Sequence, residues 1–309
     1  MYDLIGDLHG HADELEQLLH RLGYRQIYGV YRHPERKVLF LGDFIDRGPK
    51  IREVLQIVRS MVEDDAALAV MGNHEWNALA YHTEDPESPG EFLRRHTPGN
   101  VQQISRTVDQ LSPAELSSYL EWFRTLPMWL DLEGLRAIHA CWDDSAIAVV
   151  QSALAESGGV TTDFLKPAST TGAELYYAVE VILKGKEAAL PDGVSFLDKD
   201  GSSRVHVRTR WYLSPVGHTY HSYAFETAGL DCHHPLENTT IAQSMPYPTT
   251  AKPVFIGHYW LPHKQPQILT DNVACLDFSV AKGGFLCAYR WDGEEKLSNS
   301  NFVRVDVEE

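Results

Sequence analysis

The chain has 309 residues, a formal net charge of −16 at pH 7, and 43% hydrophobic residues. This length suits one large α/β unit, so the sequence predicts a single domain over 1–309. Neutralising phosphate backbones or anionic lipids requires clustered lysine and arginine, so the acidic balance argues against nucleic acid or a membrane as a partner. Oligomeric state leaves no sign in the sequence.

The amino terminus and the cysteines indicate a reducing compartment. The first residues have no basic segment followed by an apolar one, and no apolar stretch approaches the ~18 residues of a membrane helix. The four cysteines show no Cys-x-x-Cys spacing and are predicted to be reduced packing residues. We therefore expect a cytoplasmic protein.

Residues 1–75 contain three short polar motifs, each directly after an apolar run. The motifs are Gly-Asp-Leu-His-Gly at 6–10, Gly-Asp-Phe-Ile-Asp-Arg-Gly-Pro at 42–49 and Gly-Asn-His-Glu at 72–75. Apolar runs that end abruptly in glycine are typical of buried strands, and the intervening helical patterns indicate βαβ units. Ligands of such sheets bind beyond the carboxyl ends of the strands, so the motifs should converge there.

Helical patterns surround these strands. Leucines at 15, 18, 19 and 22 form one helical stripe that Gly23 ends, and a second stripe runs over 51–58. Ser112 to Glu115 combines an N-cap serine, a proline and a glutamate in the pattern of a helix start. We interpret 76–126 as a helical excursion at the rim of the site and 143–250 as a variable cap or insert.

The motifs contain side chains that suit divalent metal ions. Carboxylate, amide and imidazole donors favour Mn, Fe and Zn over metals that prefer thiolates. Two side chains in an Asp-x-His pair at a strand end can reach one ion, as with Asp7 and His9. Asp43 has two carboxylate oxygens and could bridge two ions.

The three motifs, in this order, resemble the signature of the metallo-dependent phosphatases (calcineurin-like metallophosphoesterases), particularly their phosphoprotein-phosphatase-like bacterial branch. The resemblance is strongest over 1–75. It implies an α/β fold, a four-layer α/β/β/α sandwich of two mixed sheets with the metal site at the carboxyl ends of the strands. It also implies two divalent metal ions, with manganese as the first choice and iron or zinc as alternatives.

The resemblance extends to single histidines later in the chain. His139 and His258 each follow an apolar run, and this position and order favour metal ligation over an ordinary polar role. The implied metal ligands are Asp7, His9 and Asp43 for one ion and Asp43, Asn73, His139 and His258 for the other. Many family members continue with Gly-His-x-His, whereas this chain has Tyr259-Trp260, which favours the protein-phosphatase-like branch over the nuclease branch.

The same resemblance implies catalytic and phosphate-binding roles. His74 would protonate the leaving oxygen, and Asp46 would orient His74. The residues implied to hold the substrate phosphate are Arg47, Asn73 and an arginine between the last two histidine ligands. If 204–212 is a strand, alternate spacing places the arginines at 204, 208 and 210 on one face; we predict Arg210, with Arg208 next.

The implied function is hydrolysis of phosphate monoesters, in phosphoproteins or small molecules, by direct attack of a hydroxide that bridges the two ions. A bis(5'-nucleosyl)-tetraphosphatase is the alternative, although those enzymes often lack the aspartate that is present here as Asp46. A non-catalytic pseudo-phosphatase scaffold is a third interpretation. It is disfavoured because every ligand and acid position is occupied.

Two segments of the insert invite other interpretations. Residues 194–207 predict a hairpin that turns at Asp-Lys-Asp-Gly, 198–201, and the early glycine and missing glutamate argue against a calcium loop. The histidines at 233 and 234 match no reliable metal-ligand spacing, so 231–235 is predicted to be a surface loop.

Overall fold

The computed structural model describes residues 1–197, 201, 203–225, 228–262 and 265–307. The chain forms two compact units, one of Met1–Leu183 with Lys252–Glu309 and one of Lys184–Ala251. The three polar motifs and both large sheets belong to the first unit. A single domain with an insert at 143–250 remains a prediction.

The strands among the described residues are short, and most of them belong to the first unit. In chain order they are β1 Tyr2–Ile5, β2 Arg25–Ile27, β3 Val30–Arg32, β4 Lys37–Phe40, β5 Ala67–Ala69, β6 Trp129–Asp131, β7 Arg136–Ile138, β8 Glu187–Ala189, β9 Phe196–Leu197, β10 Ser203–Arg204, β11 His206–Arg208, β12 Val254–Ile256, β13 Val273–Cys275, β14 Asp277–Phe278, β15 Phe285–Trp291 and β16 Phe302–Asp306.

The α-helices lie mostly between strands of the first unit. In chain order they are α1 Ala12–Leu22, α2 Ile51–Glu63, α3 Asn73–His82, α4 Pro98–Gln110, α5 Pro113–Phe123, α6 Asp144–Ser157, α7 Thr162–Ala168, α8 Glu174–Lys184, α9 Tyr220–Tyr223 and α10 Asn238–Gln243. No helix in the described part of the chain is both long and apolar enough to cross a bilayer.

The first sheet has the order β14-β15-β1-β4-β5, with β16 on the other side of β15. Strands β1, β4 and β5 are parallel, whereas β15 runs antiparallel to β1. The parallel strands are connected through α1 and α2, as the predicted βαβ units require. The three polar motifs therefore leave this sheet at one edge.

The second sheet has the order β13-β12-β7-β6, in which β12 is parallel to both β13 and β7 while β6 is antiparallel. The two sheets touch where the ring centroids of Phe255 and Tyr289 lie 5.1 Å apart. Both sheets are mixed, and the predicted α/β class with two mixed sheets is confirmed.

Local sequence signals set two helix ends as predicted. Gly23 has φ 95°, a left-handed conformation that glycine adopts without a Cβ clash, and it ends α1. The hydroxyl of Ser112 accepts the backbone N–H of Glu115, and the Glu115 carboxylate accepts the N–H of Ser112, which forms a capping box at the start of α5.

The second unit, 184–251, has its own small core. Two pairs of short antiparallel strands, β8 with β11 and β9 with β10, lie within it. Its buried cluster contains Ala188, Leu190, Phe196, Val207, Tyr220, Tyr223, Ala224, Leu230, Cys232 and Leu236. A cluster of this size shows that the insert packs around apolar side chains rather than forming an extended connector.

Two predictions for this unit meet different outcomes. The pairing of β9 with β10 agrees with the predicted hairpin, and 198–200 of its predicted turn lie outside the described residues. The three arginines do not share one strand, because Arg204 ends β10, Arg208 ends β11 and Arg210 follows both. The alternate-spacing argument therefore does not apply to them.

A buried ionic cluster surrounds Asp3 in β1. The Asp3 carboxylate is completely buried and accepts from Tyr24 Oη at 3.1 Å, Arg36 Nε at 2.9 Å and Arg290 Nε at 3.0 Å. Arg36 also donates to the backbone oxygens of β1 and β15. Removing the charge of this buried carboxylate would leave the positive charges of the arginines without a negative partner.

We expect Asp3→Asn to lower the free energy of unfolding by about 3 kcal/mol, because the isosteric amide removes the charge that the two arginines face. Urea unfolding followed by tryptophan fluorescence measures the change. Asp13→Asn is the control, since its ion pair with Lys50 lies on the surface and should contribute much less. Equal stabilities of the two variants would contradict a structural role for the buried cluster.

Candidate metal centre

Strand ends from both sheets bring the predicted metal ligands together. The first sheet supplies the motifs after β1, β4 and β5, and the second supplies the histidines after β7 and β12. All six predicted ligands are buried: Asp7, His9, Asp43, Asn73, His139 and His258. Burial of so many polar groups requires partners for each of them.

Two groups of metal-competent donors meet at one carboxylate. In the first group, donor atoms of His9, Asp43 and His74 lie within 4.8 Å of one another. In the second group, Asp43, His139 and His258 meet the same limit. Asp43 therefore occupies the shared position that a bridging ligand needs, and its bridging of two ions remains a prediction.

Asn73 lies within the second group. Its Oδ1 is 2.7 Å from His258 Nδ1 and 3.1 Å from His139 Nε2. His139 Nε2 in turn lies 3.4 Å from Asp43 Oδ1. One amide oxygen, two imidazole nitrogens and one carboxylate thus point to a common place.

Backbone carbonyls set the tautomers of two histidines. His9 Nδ1 lies 2.9 Å from the carbonyl oxygen of Ile45, and His139 Nδ1 lies 2.7 Å from that of Leu41. A carbonyl accepts only, so Nδ1 carries the proton and the lone pair of Nε2 faces the donor groups. Carbonyl contacts of this kind are typical of histidines that bind metal.

The first donor group differs from the prediction in one member. His74, which was not a predicted ligand, belongs to this group, and its Nε2 lies 3.8 Å from Asp43 Oδ2. Asp7, which was a predicted ligand, belongs to neither group. The Asp7 carboxylate instead accepts the backbone N–H of His258 at 3.1 Å. Ligation by Asp7 remains a prediction.

Crowded carboxylates favour cations at this place. Burial and the nearby charges of Asp277 and Asp43 raise the pKa of Asp7 well above its ordinary value. Burial, followed by the charges of His74 and Arg47, lowers the pKa of His9 to about 3. A neutral imidazole at His9 beside the mutually repelling carboxylates of Asp7 and Asp43 is a donor set that a divalent cation would stabilise, so the residues fit metal ions.

Glu75, to which the sequence analysis gave no role, fixes the loop after β4. Its buried carboxylate accepts the backbone N–H groups of Asp43 at 2.8 Å, Phe44 at 2.8 Å and Gly72 at 3.0 Å. Burial and repulsion from Asp43 raise its pKa to about 7. A Cβ on Gly72 would lie 2.3 Å from Asp43 N, so glycine permits this close approach.

Asp277 is a second buried carboxylate that the sequence analysis missed. It accepts the backbone N–H of Trp260 at 2.7 Å and that of Ser279 at 2.9 Å. The signal was present in the sequence, since the apolar run 273–276 is followed directly by an aspartate, whereas a glycine stands before the aspartate in the first two motifs.

His74 and Asp46 form a hydrogen-bonded pair. His74 Nδ1 lies 2.6 Å from Asp46 Oδ2, while Asp46 Oδ1 accepts the hydroxyl of Thr107 on α4 at 2.6 Å. Burial disfavours a charged imidazole, but Asp43 and Asp46 outweigh it and raise the pKa of His74. The pair has the arrangement of an oriented acid, and Thr107 was not found from the sequence.

The two predicted phosphate-binding arginines have different surroundings. The guanidinium of Arg47 lies 4.2 Å from the ring centroid of Trp260, in the first unit. Arg210 belongs to the second unit, where its Nε donates to the carbonyl of Ala224 at 3.1 Å. A phosphate-binding role for Arg210, or for Arg208, remains a prediction.

Left-handed backbone is concentrated at the centre. Of the nine described non-glycine residues with positive φ, six belong to it: His9, Asp43, Asp46, Arg47, His258 and Trp260. Such conformations cost free energy and persist where surrounding contacts hold them.

We expect Glu75→Gln to raise the dissociation constant for Mn²⁺ about 10–100-fold, because the amide group places a donor against backbone donors and loosens Asp43. Isothermal titration calorimetry measures the constant, and circular dichroism verifies folding. The control is Glu91→Gln at an exposed carboxylate. Unchanged Mn²⁺ affinity in a folded Glu75→Gln variant would contradict the positioning role.

Several curated proteins are similar to part of the chain. A protein of Oceanobacillus iheyensis named bis(5'-nucleosyl)-tetraphosphatase PrpE (asymmetrical) is 44% identical over 140 residues, which are 45% of this chain and 54% of that protein. Proteins of the same name from Halalkalibacterium halodurans and Bacillus subtilis are 47% and 34% identical over 74 and 129 residues. The matches span about half of these relatives or less, 30% and 51% for the latter two.

A solved structure and a family model extend the comparison. A cold-active protein tyrosine phosphatase is 18% identical, with a TM-score of 0.51 over 93% of this chain and 73% of that one, which shows a similar fold. The family model described as calcineurin-like phosphoesterase matches residues 2–160. The chain belongs to the calcineurin-like phosphoesterase family of metal-dependent phosphoester hydrolases.

Proposed function

We propose that the chain hydrolyses a bis(5'-nucleosyl) tetraphosphate at a centre of two divalent metal ions. The observation that carries the dinuclear centre is the shared position of Asp43 between two buried donor groups. The names of the relatives support the substrate and favour the second of the sequence-based interpretations over phosphate monoesters.

The donor groups and, for Asp7, the family resemblance assign the residues that would hold the ions. His9 and Asp43, with Asp7, would bind one ion, and Asp43, Asn73, His139 and His258 would bind the other. Divalent ions at such a centre lower the pKa of water and neutralise phosphate oxygens. Manganese is our first choice, because these oxygen and imidazole donors suit it as well as iron or zinc.

His74 would supply the proton for the leaving group. Asp46 accepts from Nδ1 and so turns Nε2 toward the donor groups. The same contact favours the protonated imidazole, from which Nε2 can give its proton to the departing phosphate oxygen. The hydroxyl of Thr107 holds Asp46 in place with two hydrogen bonds. It donates to the Asp46 carboxylate and accepts the backbone N–H of Asp46.

Substrate phosphates would be held by Arg47 and Asn73. Arg47 is in the loop after β4, beside the shared Asp43, and a guanidinium can donate two parallel hydrogen bonds to one phosphate. Among the described residues, its buried Nε has no hydrogen-bond partner. A buried donor that is left without a partner costs free energy.

A phosphomonoesterase is the second candidate. The pair of His74 with Asp46 favours it, because the family resemblance implies that diadenosine tetraphosphatases often lack the aspartate at this position. Phosphoproteins and small phosphorylated molecules would then be the substrates. A cytoplasmic location stays a prediction for both candidates.

The substrate proposal predicts that the Mn²⁺-loaded protein cleaves diadenosine tetraphosphate into ATP and AMP, as the word asymmetrical implies. Its kcat/KM should exceed those for phosphotyrosine and phosphoserine peptides at least tenfold. Ion-exchange chromatography separates the products. Higher kcat/KM for a phosphopeptide would support the second candidate, and hydrolysis of none of the substrates would support a non-catalytic scaffold.

We expect His74→Asn to lower kcat for an aryl phosphate by about 10²–10⁴-fold, because a proton donor to the leaving oxygen is lost. Atomic absorption should still find two Mn ions per chain, since 74 is not an assigned ligand. Asp43→Asn should lose both activity and metal.

The control for these variants is His234→Asn, which replaces an exposed imidazole. Full activity in a folded His74→Asn variant with two bound ions would refute the assignment of the acid. Two tightly bound ions in Asp43→Asn would refute the shared ligand.

A further inference from the structure

Trp260 lies where many family members have a further histidine, and the proposed reaction gives it no role. Its backbone has φ 48° and its N–H donates to the buried Asp277 at 2.7 Å. A left-handed tryptophan is strained, so the contact with Asp277 holds the residue in a conformation it would otherwise avoid. The backbone of Trp260 is therefore held in place two residues after the predicted ligand His258.

Two cations contact this indole. The Arg47 guanidinium carbon lies 4.2 Å from the ring centroid, and Lys282 Nζ lies 4.6 Å from it. Cations at these distances are attracted to the ring electrons. Trp260 thus holds a second positive charge close to the arginine proposed to bind the phosphate under attack.

One of these two cations also borders a cavity. Lys282, at the end of the 3₁₀ turn Val280–Lys282, lines a cavity of about 500 Å³ together with Leu261, Phe285, Arg304 and Asp306. The Arg304 guanidinium lies 4.8 Å from the Phe285 ring and 3.5 Å from Asp306. The volume is in the range of small-molecule sites.

Two cations at one indole suit a ligand with more than one phosphate. A monoester presents one phosphate, which the ions and Arg47 would hold. A polyphosphate carries further negative charges beyond the attacked phosphorus, and Lys282, on the same ring as Arg47, is the neighbouring cation. In a chain with net charge −16, this pair of cations beside a cavity attracts anions that the acidic balance of the chain would otherwise repel.

We propose that Trp260 and Lys282 form a subsite for the distal phosphates of a nucleoside polyphosphate. The subsite rests on the proposed function and would determine its specificity: Trp260 positions both cations, Lys282 binds a phosphate beyond the one attacked, and the cavity receives the remainder of the ligand. A ligand with linked phosphates can contact both cations, whereas a single orthophosphate held at Arg47 does not require Lys282.

The test uses inorganic tripolyphosphate and orthophosphate as probes, with dissociation constants measured by isothermal titration calorimetry on the Mn²⁺-loaded protein. We expect Lys282→Gln to weaken tripolyphosphate about tenfold, the loss typical of a charge-assisted hydrogen bond, and orthophosphate less than twofold. Lys296→Gln, at a lysine whose side chain is 82% exposed, is the matched control. Both variants share one buffer, so chelation of metal by tripolyphosphate affects them equally.

Trp260 variants give a second, independent readout. Trp260→Leu removes the ring and should weaken tripolyphosphate at least as much as Lys282→Gln, whereas Trp260→Phe keeps an aromatic face and should lose less. Equal losses for tripolyphosphate and orthophosphate, or no loss in folded Lys282→Gln, would overturn the subsite. Binding without turnover keeps this result separate from the proposed function, which fails if the wild type does not cleave diadenosine tetraphosphate.

Discussion

The carboxylate of Asp43 is the group on which the geometry of the whole centre depends. It faces imidazoles from two different sheets and also accepts the backbone N–H of His74 at 2.9 Å, at the start of α3. Residues from both sheets and from the start of α3 therefore all contact this one side chain. Burial raises the pKa of that carboxyl, but His139 and His74 outweigh burial and hold it well below the ordinary range. Asp43 stays ionised, which both metal binding and the attraction of these histidines require.

Much of this arrangement was predictable, because parallel strands place their carboxyl ends at one edge of a sheet. Asp43 and His9 follow from that rule alone, and the family resemblance added His139 and His258 from the other sheet. Glu75 and Thr107 did not follow, since their roles depend on backbone amides and on the path of α4, which periodicity does not specify. A side chain that binds groups distant in the sequence, as Glu75 binds Asp43 and Phe44, leaves no local pattern of spacing.

The structure of the second unit was much less predictable from the sequence. Its apolar side chains are spread over short strands and loops, so hydrophobic periodicity gave few boundaries there, although the structure contains a buried cluster. The assumption of a strand over 204–212 was the basis for grouping three arginines, and the separation of β10 from β11 removes that basis. Alternation of polar and apolar residues identifies the two faces of a long strand, so it predicts short and irregular elements poorly.

The left-handed residues at the centre oppose stability to activity when these positions are substituted. Each one costs about 1–3 kcal/mol relative to a relaxed backbone. Glycine at Asp46 or Trp260 would relieve that cost, and would also delete the carboxylate or the indole that the backbone presents. Selection for heat resistance alone would therefore favour changes that damage the chemistry, so stability and activity are opposed at these positions.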